Sequence, residues 1–428
     1  MRLAQRSRAD HLYLAGLCLT LLVGIFLRLP SSVFSPDKPF HAIEIIHPVP
    51  GFQGIGFDEG LYRNYVNGVI REGISGYPEI VDQYIAVQAR LTGSILPPVR
   101  FLYIFLAYLW HCLFGSEALE ALHDVSSLFS VLTLLLACAF AWRLKGRLWA
   151  LGVAALMGCA PTQLHMSQHA LVDGFFTFWA LLAIWLLWEN LRAPRQPILL
   201  LLYASSLSLL VLTKENSFFV FIALLALLIA NRWLGFGSVT KEILTCTLVG
   251  PFLGMVVLVF LAGGIETLLT VYKLSVGKNY TLTYAIVTGD GPWHRYLIDL
   301  LLVSPLVLLL ALGCVFRLDR TRKAELYLTI FIAASYAIMC NVKYGMNLRY
   351  ANMWDMPLRF LAFSQLVAFG SLFRKYRVAF VAGVVVLICA FELRQYVVLF
   401  VQHPLYELVS EGLLRALQIL KSPLAPGN

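Results

Sequence analysis

Two adjacent carboxylates, Asp58 and Glu59, stand in the stretch GIGFDEGLYRNY, which begins at Gly54. Adjacent side chains diverge on most backbones, so the two face different partners. One can act as a base on an incoming hydroxyl or amine. The other can orient a helix, bind a metal or pair with a cation. The plainer alternative is a solvated turn in which Asp58 caps a helix beginning near Gly60. A third carboxylate, Asp173, lies in SQHALVDGFFTFWALL, four residues after His169 and at the start of an apolar run. A helix N-terminus favours a carboxylate on electrostatic grounds alone, whereas an ionisable group at membrane depth is costly and often functional. His169 reads more simply as structural. The cations form the complementary set: Lys214 in LLVLTKENSFF, His294 and Arg295 in GDGPWHRY, and Arg349, Tyr350 and Arg359 in NLRYANMWDMPLRF. Lys214 and Glu215 could be only the salt-bridged rim of a hairpin. Lys214 could equally meet a phosphate as a point charge. An arginine inside an apolar run needs a counter-charge or a route to the interface.

The medium decides what these charges mean. Of 428 residues, 59% are hydrophobic and 13% charged, and the mean hydropathy is +0.76. A water-soluble globule carries about a quarter charged residues, so this chain cannot cover itself in water. Its long apolar runs predict a polytopic all-α membrane protein. The formal charge of +9 shows no basic block with interleaved aromatics, which argues against nucleic acid and for membrane topology. Eight cysteines lie mostly singly in apolar runs, without metal or disulfide spacing. The first run follows Arg2, Arg6 and Arg8 and has no small-residue cleavage site, so it reads as a retained helix.

Candidate spans are 11–29, 121–142, 148–166, 170–189, 198–213, 216–231, 242–262, 296–316, 325–341, 357–373 and 378–396. A further run, 99–114, is short for a bilayer core of about 30 Å at ~1.5 Å per residue. Its Tyr103, Tyr108, Trp110 and His111 suit an interface. If that run does not cross, the basic clusters at Arg2–Arg8, Arg143–Arg147, Arg192–Arg195, Arg232–Lys241, Arg317–Lys323 and Arg374–Arg377 all fall on one side. The positive-inside rule makes that side cytoplasmic. This parity gives about eleven spans, an inside N-terminus and an outside C-terminus. The outside then holds a long first loop, about 30–120, and the loops 263–295 and 342–356. LYRNYVNGVIREG and EIVDQYIAVQARL in the first loop read as amphipathic juxtamembrane helices. No repeat or linker divides the chain, so 1–396 is expected to be a single membrane domain, with 397–428 a short tail, outside.

Taken in order, these stretches resemble integral-membrane glycosyltransferases of the GT-C type. The likeness is nearest to glycosyltransferase family 39, with its dolichyl-phosphate-mannose protein mannosyltransferases and lipid A aminoarabinose transferases. That family's DExxY-like segment after the first span corresponds to Asp58-Glu59-Gly60-Leu61-Tyr62. Its later segments correspond to PPVRFLYIFLAYLWHCLFGSE, the basic turn and acid of RLKGRLWALGVAALMGCAPTQLHMSQHALVDGFF, the TK turn of LTKENSFF, GPWHRY and LRYANMWDMP. The likeness runs over about 30–370.

The resemblance implies a sugar donor carried on a polyprenyl phosphate, an acceptor arriving from outside, and inversion at the anomeric carbon. It implies Asp58, with Glu59, as the catalytic carboxylates. It implies Tyr62, Arg63, Lys214, His294, Arg295, Arg349 and Tyr350 around donor phosphate or substrate. Asp173 would be the candidate ligand of a divalent metal, magnesium or manganese by the chemistry of oxygen donors. Relatives of the aminoarabinose type carry Glu-Lys near the proline pair, where this chain has Ile95-Leu96 before Pro97. The acceptor stays open among lipid, glycan and protein. Compact size favours a bacterial inner membrane. The competing reading is a transporter or flippase of lipid-linked saccharides, which would use the same cations without breaking a bond. It lacks the paired repeats of many transporters.

Overall fold

A computed structural model describes residues 8–30 and 57–420. Arg2, Arg6, the first-loop stretch 31–56 and the end of the tail, 421–428, lie outside the described residues. Among the described residues every regular element is helical. In chain order they are α1 (Arg8–Phe26), α2 (Phe57–Glu72), α3 (Tyr77–Arg90), α4 (Phe101–Phe114), α5 (Ala118–Lys145), α6 (Arg147–Gly158), α7 (Pro161–Ser167), α8 (Val172–Arg192), α9 (Pro197–Val211) and α10 (Ser217–Leu234). There follow α11 (Lys241–Leu261), α12 (Ile265–Asn279), α13 (Thr283–Gly289), α14 (Arg295–Val303), α15 (Pro305–Val315), α16 (Lys323–Met339), α17 (Asp355–Gly370), α18 (Arg377–Tyr396) and α19 (Ser410–Ala416). A 3-10 turn, Leu348–Trp354, leads directly into α17.

This is an integral membrane protein. Five stretches are long and apolar enough to cross a bilayer: Ala118–Lys145, Val172–Arg192, Ser217–Leu234, Lys241–Leu261 and Leu348–Gln402. Shorter apolar helices cover Asp10–Phe26, Phe101–Phe114, Arg147–Gly158, Pro197–Val211 and Pro305–Val315. Two expected spans are interrupted by proline. The run 148–166 divides into α6 and α7 at Pro161, and 296–316 divides into α14 and α15 at Pro305. Proline offers no N–H to the preceding turn and pushes the residue before it out of the α region. Ala160 accordingly has ψ 116° and Ser304 ψ 59°.

Bilayer packing lacks a hydrophobic drive between helices, so close approach of small residues replaces it. On α11, Gly250 and Gly254 face α9 so tightly that a Cβ on Gly254 would stand 2.5 Å from the Ser208 carbonyl oxygen. The Ser208 hydroxyl donates to the Gly250 carbonyl at 2.6 Å.

The two amphipathic helices expected in the first loop are present as α2 and α3. With α4, the start of α5 and parts of α11 and α12 they bury their own apolar layer, centred on Tyr62, Val66, Tyr77 and Tyr103. The larger core lies among α5–α10 and α14–α19. At its border Arg28, fully buried just after α1, donates to the carbonyls of Gly24 (2.8 Å), Met157 (2.7 Å) and Gly158 (3.0 Å) and to the Ser130 hydroxyl (3.1 Å). One guanidinium thereby satisfies orphan carbonyls at the ends of α1 and α6, where a cation is favoured.

Candidate functional site

Helix α2 begins at Phe57, so both carboxylates lie in its first turn, and Asp58 is not the residue before it. The two diverge. Glu59 is buried and accepts from the Ala170 N–H at 2.7 Å and from His169 Nδ1 at 3.1 Å, with His123 Nε2 4.0 Å away. It pins α2 to the turn between α7 and α8. Asp58 points the other way, where Arg349 Nη2 donates to its Oδ2 at 3.0 Å.

Arg349 is the hub. It sits on the 3-10 turn, whose entry is capped by Asn347 Oδ1 accepting from the Arg349 N–H at 3.0 Å. Its Nε lies 3.4 Å from Glu407 Oε2 and 3.8 Å from Asp173 Oδ2. Lys214, in the turn between α9 and α10, donates to Asp173 Oδ1 at 2.5 Å. The Lys214 ammonium also stands 4.0 Å from the centre of the Tyr350 ring, and the Arg349 guanidinium lies 5.5 Å from that of Tyr406. Cations over aromatic faces gain most when water is excluded, and the Arg349 and Asp173 side chains are each 4% exposed.

The turn carrying Arg349 is held from below. Asp355 accepts from Thr162 Oγ1 (2.5 Å), Gln163 Nε2 (2.8 Å) and Arg359 Nη1 (2.6 Å). Arg359 also donates to Glu392 Oε2 at 2.7 Å, which gives it the counter-charges its apolar setting demands. This network ties α7, α17 and α18 to the residues that start the site.

Five expected residues therefore converge: Asp58, Asp173, Lys214, Arg349 and Tyr350. Tyr62 stands one step away, accepting from Arg100 Nη1 at 2.6 Å. Arg100 also grips Glu215 through two nitrogens, Nε at 3.1 Å and Nη2. Three others do not join. Arg63 pairs with Glu117 at 2.6 Å on an exposed flank. Arg295 spends its guanidinium on the carbonyls of Thr288 and Asp290, with Asp299 3.8 Å away. His294 packs its ring against Trp293. Arg295, with Thr288 and Asp290, borders a separate cleft of about 240 Å³ together with Ser410 and Glu411.

Three residues in or beside the cluster are not among the candidates that the sequence singles out. Glu407 and Tyr406 come from the tail, in HPLYELVSEG, which turns back over the site. Its Leu408 carbonyl accepts from the Leu348 N–H at 3.2 Å, and its Tyr406 carbonyl is 3.2 Å from His165 Nε2. Arg100 follows the proline pair of ILPPVRF, and nothing local says that it will meet Tyr62 and Glu215.

The electrostatics follow from burial. Burial pushes the Lys214 ammonium pKa down, and the Asp173 charge only partly offsets it. Burial pushes the Glu407 carboxyl up against the pull of Arg349. Burial also raises Glu215, but the charges of Arg100 and Lys214 outweigh it and leave that carboxyl below its ordinary value. Among the described residues no three His, Cys, Asp or Glu side chains converge to hold a metal ion. Asp173 has both oxygens turned to cations, so it fits an ion-pair network and not a metal shell. Arg349 Nε and Nη1 are buried without a hydrogen-bond acceptor in the protein, which is costly for a cation. Such donors suit an incoming anion. Beside Lys214, Glu215 borders an apolar cavity of about 280 Å³ lined by Leu207, Leu210, Phe218, Phe221, Met255 and Tyr272.

No protein-family model and no curated protein match this sequence. Its fold does match solved structures. The oligosaccharyltransferase of Archaeoglobus fulgidus tethered to an acceptor peptide superposes with a TM-score of 0.60 at 14% identity, over 91% of this chain and 55% of that one. The same enzyme, AglB, in complex with an inhibitory peptide and a dolichol-phosphate gives 0.56 at 13% identity, over 91% and 56%. ArnT from Cupriavidus metallidurans gives 0.49 at 14% identity, over 96% and 76%. The chain therefore shares the fold of the archaeal oligosaccharyltransferase, of whose length it spans a little over half.

Proposed function

We propose that this protein transfers a sugar from a polyprenyl-phosphate donor to a hydroxyl or amine of a lipid, glycan or protein acceptor, with inversion. The observation that carries this reading is Arg349, which has buried, unsatisfied donors, shares Asp173 with Lys214 and donates to the carboxylate of Asp58. A donor phosphate set against Arg349 and Lys214 puts positive charge where the leaving group gathers negative charge, in a site of low dielectric. Asp58, ionised, takes the acceptor's proton as its oxygen or nitrogen bonds to the anomeric carbon. The bond from that carbon to the phosphate oxygen breaks, and the polyprenyl phosphate departs with its electron pair. The apolar cavity beside Glu215 suits the first isoprene units of the carrier. An archaeal enzyme of the same fold has been seen with a dolichol-phosphate, which supports a lipid phosphate over a soluble one.

We place the site on the outer face of a bacterial inner membrane, periplasmic, with the N-terminus in the cytoplasm. In support, several basic turns expected inside gather through ion pairs with helix-end acids: Arg147 with Asp10 at 2.5 Å, Arg143 with Glu189 at 2.7 Å, and Lys145 with Glu325. None of these pairs involves the Asp58 cluster. A transporter of lipid-linked saccharides would need the cations but not Asp58 aimed among them.

The test is direct. Purified protein in vesicles of bacterial lipid extract, supplied with polyprenyl-phosphate sugars and outer-envelope acceptors, is followed by mass spectrometry. Free polyprenyl phosphate and a new glycosidic product should appear with the wild type and not with Asp58→Asn. Intact donor in both would overturn the proposal.

A further inference from the structure

The charges around Arg349 do not balance. Two cations, Arg349 and Lys214, face three carboxylates, Asp58, Asp173 and Glu407, a surplus of one negative charge before any ligand arrives. A phosphodiester donor adds another, and the released phosphate monoester adds more. Excess like charge in a buried site is expensive because the low dielectric magnifies it. For an anion to bind here, one carboxylate must give way.

Geometry identifies which. Asp58 is fixed in the first turn of α2 and holds a direct hydrogen bond from Arg349. Asp173 is held by the buried Lys214 and starts α8. Glu407 differs in each respect. It approaches Arg349 Nε at 3.4 Å without making a hydrogen bond, and its side chain is 21% exposed. Among the described residues its side-chain hydrogen-bond donor is Asn347 Nδ2. Among the described residues its segment is tied to the rest by hydrogen bonds from Leu348 to the Leu408 carbonyl, between His165 and the Tyr406 carbonyl, and from Ser410 to Asp299 at 2.5 Å, and by the packing of Leu408 and Leu413 into the core. Burial already works against its charge, while Arg349 opposes that effect.

We infer that Glu407 occupies the place of the donor phosphate on Arg349, and that a lipid phosphate enters by displacing this carboxylate and lifting the segment 403–416. Phosphate oxygens accept from a guanidinium as carboxylate oxygens do, so the phosphate can take the Arg349 donors that Glu407 leaves without a hydrogen bond, and a phosphodiester entering as Glu407 leaves adds no net negative charge to the site. Leu408 and Leu413, both fully buried, are the apolar side chains that return the segment to its seat when the phosphate leaves. The inference rests on the phosphate reading of Arg349.

The experiment uses the full chain in detergent and farnesyl phosphate as the probe, with affinity read by calorimetry. Removing the competing charge in Glu407→Gln should tighten binding about tenfold or more. Hydrogen exchange over 403–416 should speed up when wild type binds the probe. Glu407→Asp keeps the charge for folding but draws it back from Arg349, and should also tighten binding. Unchanged or weaker affinity in the variants, or exchange that stays level or slows, would overturn the inference. Wild-type binding that Glu407→Gln does not improve sinks the displacement alone. Absence of binding that Arg349→Gln leaves unaltered sinks the phosphate reading and the displacement with it.

Discussion

Arg349 donates to Asp58 at 3.0 Å across 291 residues of sequence. The pair joins a carboxylate on the amphipathic helix α2 to a cation on the turn that precedes α17. In the proposed reaction these two are the proton acceptor and the anion holder, and each neighbour's contribution can be tested separately.

Asp58→Asn keeps size and a hydrogen-bond acceptor for Arg349 but removes the base. Arg349 retains Asp173 and Glu407 nearby, so the fold and donor binding should persist. Turnover should fall by about 10²–10⁴-fold. Paired measurements of transfer rate and donor affinity check this, and undiminished turnover would remove Asp58 from the chemistry.

Lys214→Ala leaves Asp173 buried beside Arg349 alone. Removing one partner of a buried pair costs about 3–5 kcal/mol. Adding Asp173→Asn should restore much of that stability while leaving donor handling impaired. Thermal unfolding of the single and double variants, with transfer assays alongside, separates the two effects. A double variant as unstable as Lys214→Ala would show that the pair is not the source of the loss.

Glu59→Gln addresses the other half of the acidic pair. Its carboxylate holds the Ala170 N–H and His169, so its loss should lower stability by roughly 1–3 kcal/mol. Turnover should suffer far less than in Asp58→Asn. Equal losses of turnover at normal stability would assign Glu59 to the chemistry as well.

Stability should fall in acid through Glu215. Its folded pKa lies below the ordinary glutamate value because Arg100 and Lys214 outweigh burial. The contribution is therefore complete above the unfolded pKa and is lost as pH drops through the depressed folded value. The Glu215 side chain is 39% exposed, so solvent screening trims the effect. Melting temperatures from pH 7 to pH 3 should decline less steeply in Glu215→Gln; parallel curves would count against the pair.

Much of this was readable from the chain because the bilayer is a demanding solvent. Apolar runs long enough to cross it announce themselves, and so do Asp173, Lys214 and Arg349, charges that water-soluble surfaces would hide among many others. The amphipathic α2 and α3 were legible from their periodicity. Pro161 and Pro305 sit within apolar runs, and hydropathy alone passes over the breaks they cause. Arg295 looked like a site cation beside a span, yet backbone carbonyls within its own loop absorb its guanidinium. Glu407 is the opposite case: a lone charged residue after the last apolar run does not stand out in sequence, and its place in the cluster comes only from the chain folding back onto Asn347 and Arg349.

The most direct test compares lipid extracts and outer-face glycans from cells carrying the active protein with those carrying Asp58→Asn, by mass spectrometry. One polyprenyl-phosphate sugar should accumulate in the variant while one glycosylated product disappears, naming donor and acceptor together. Lipid-linked sugars that change their side of the membrane, with every glycosidic product intact, would contradict transfer and indicate transport.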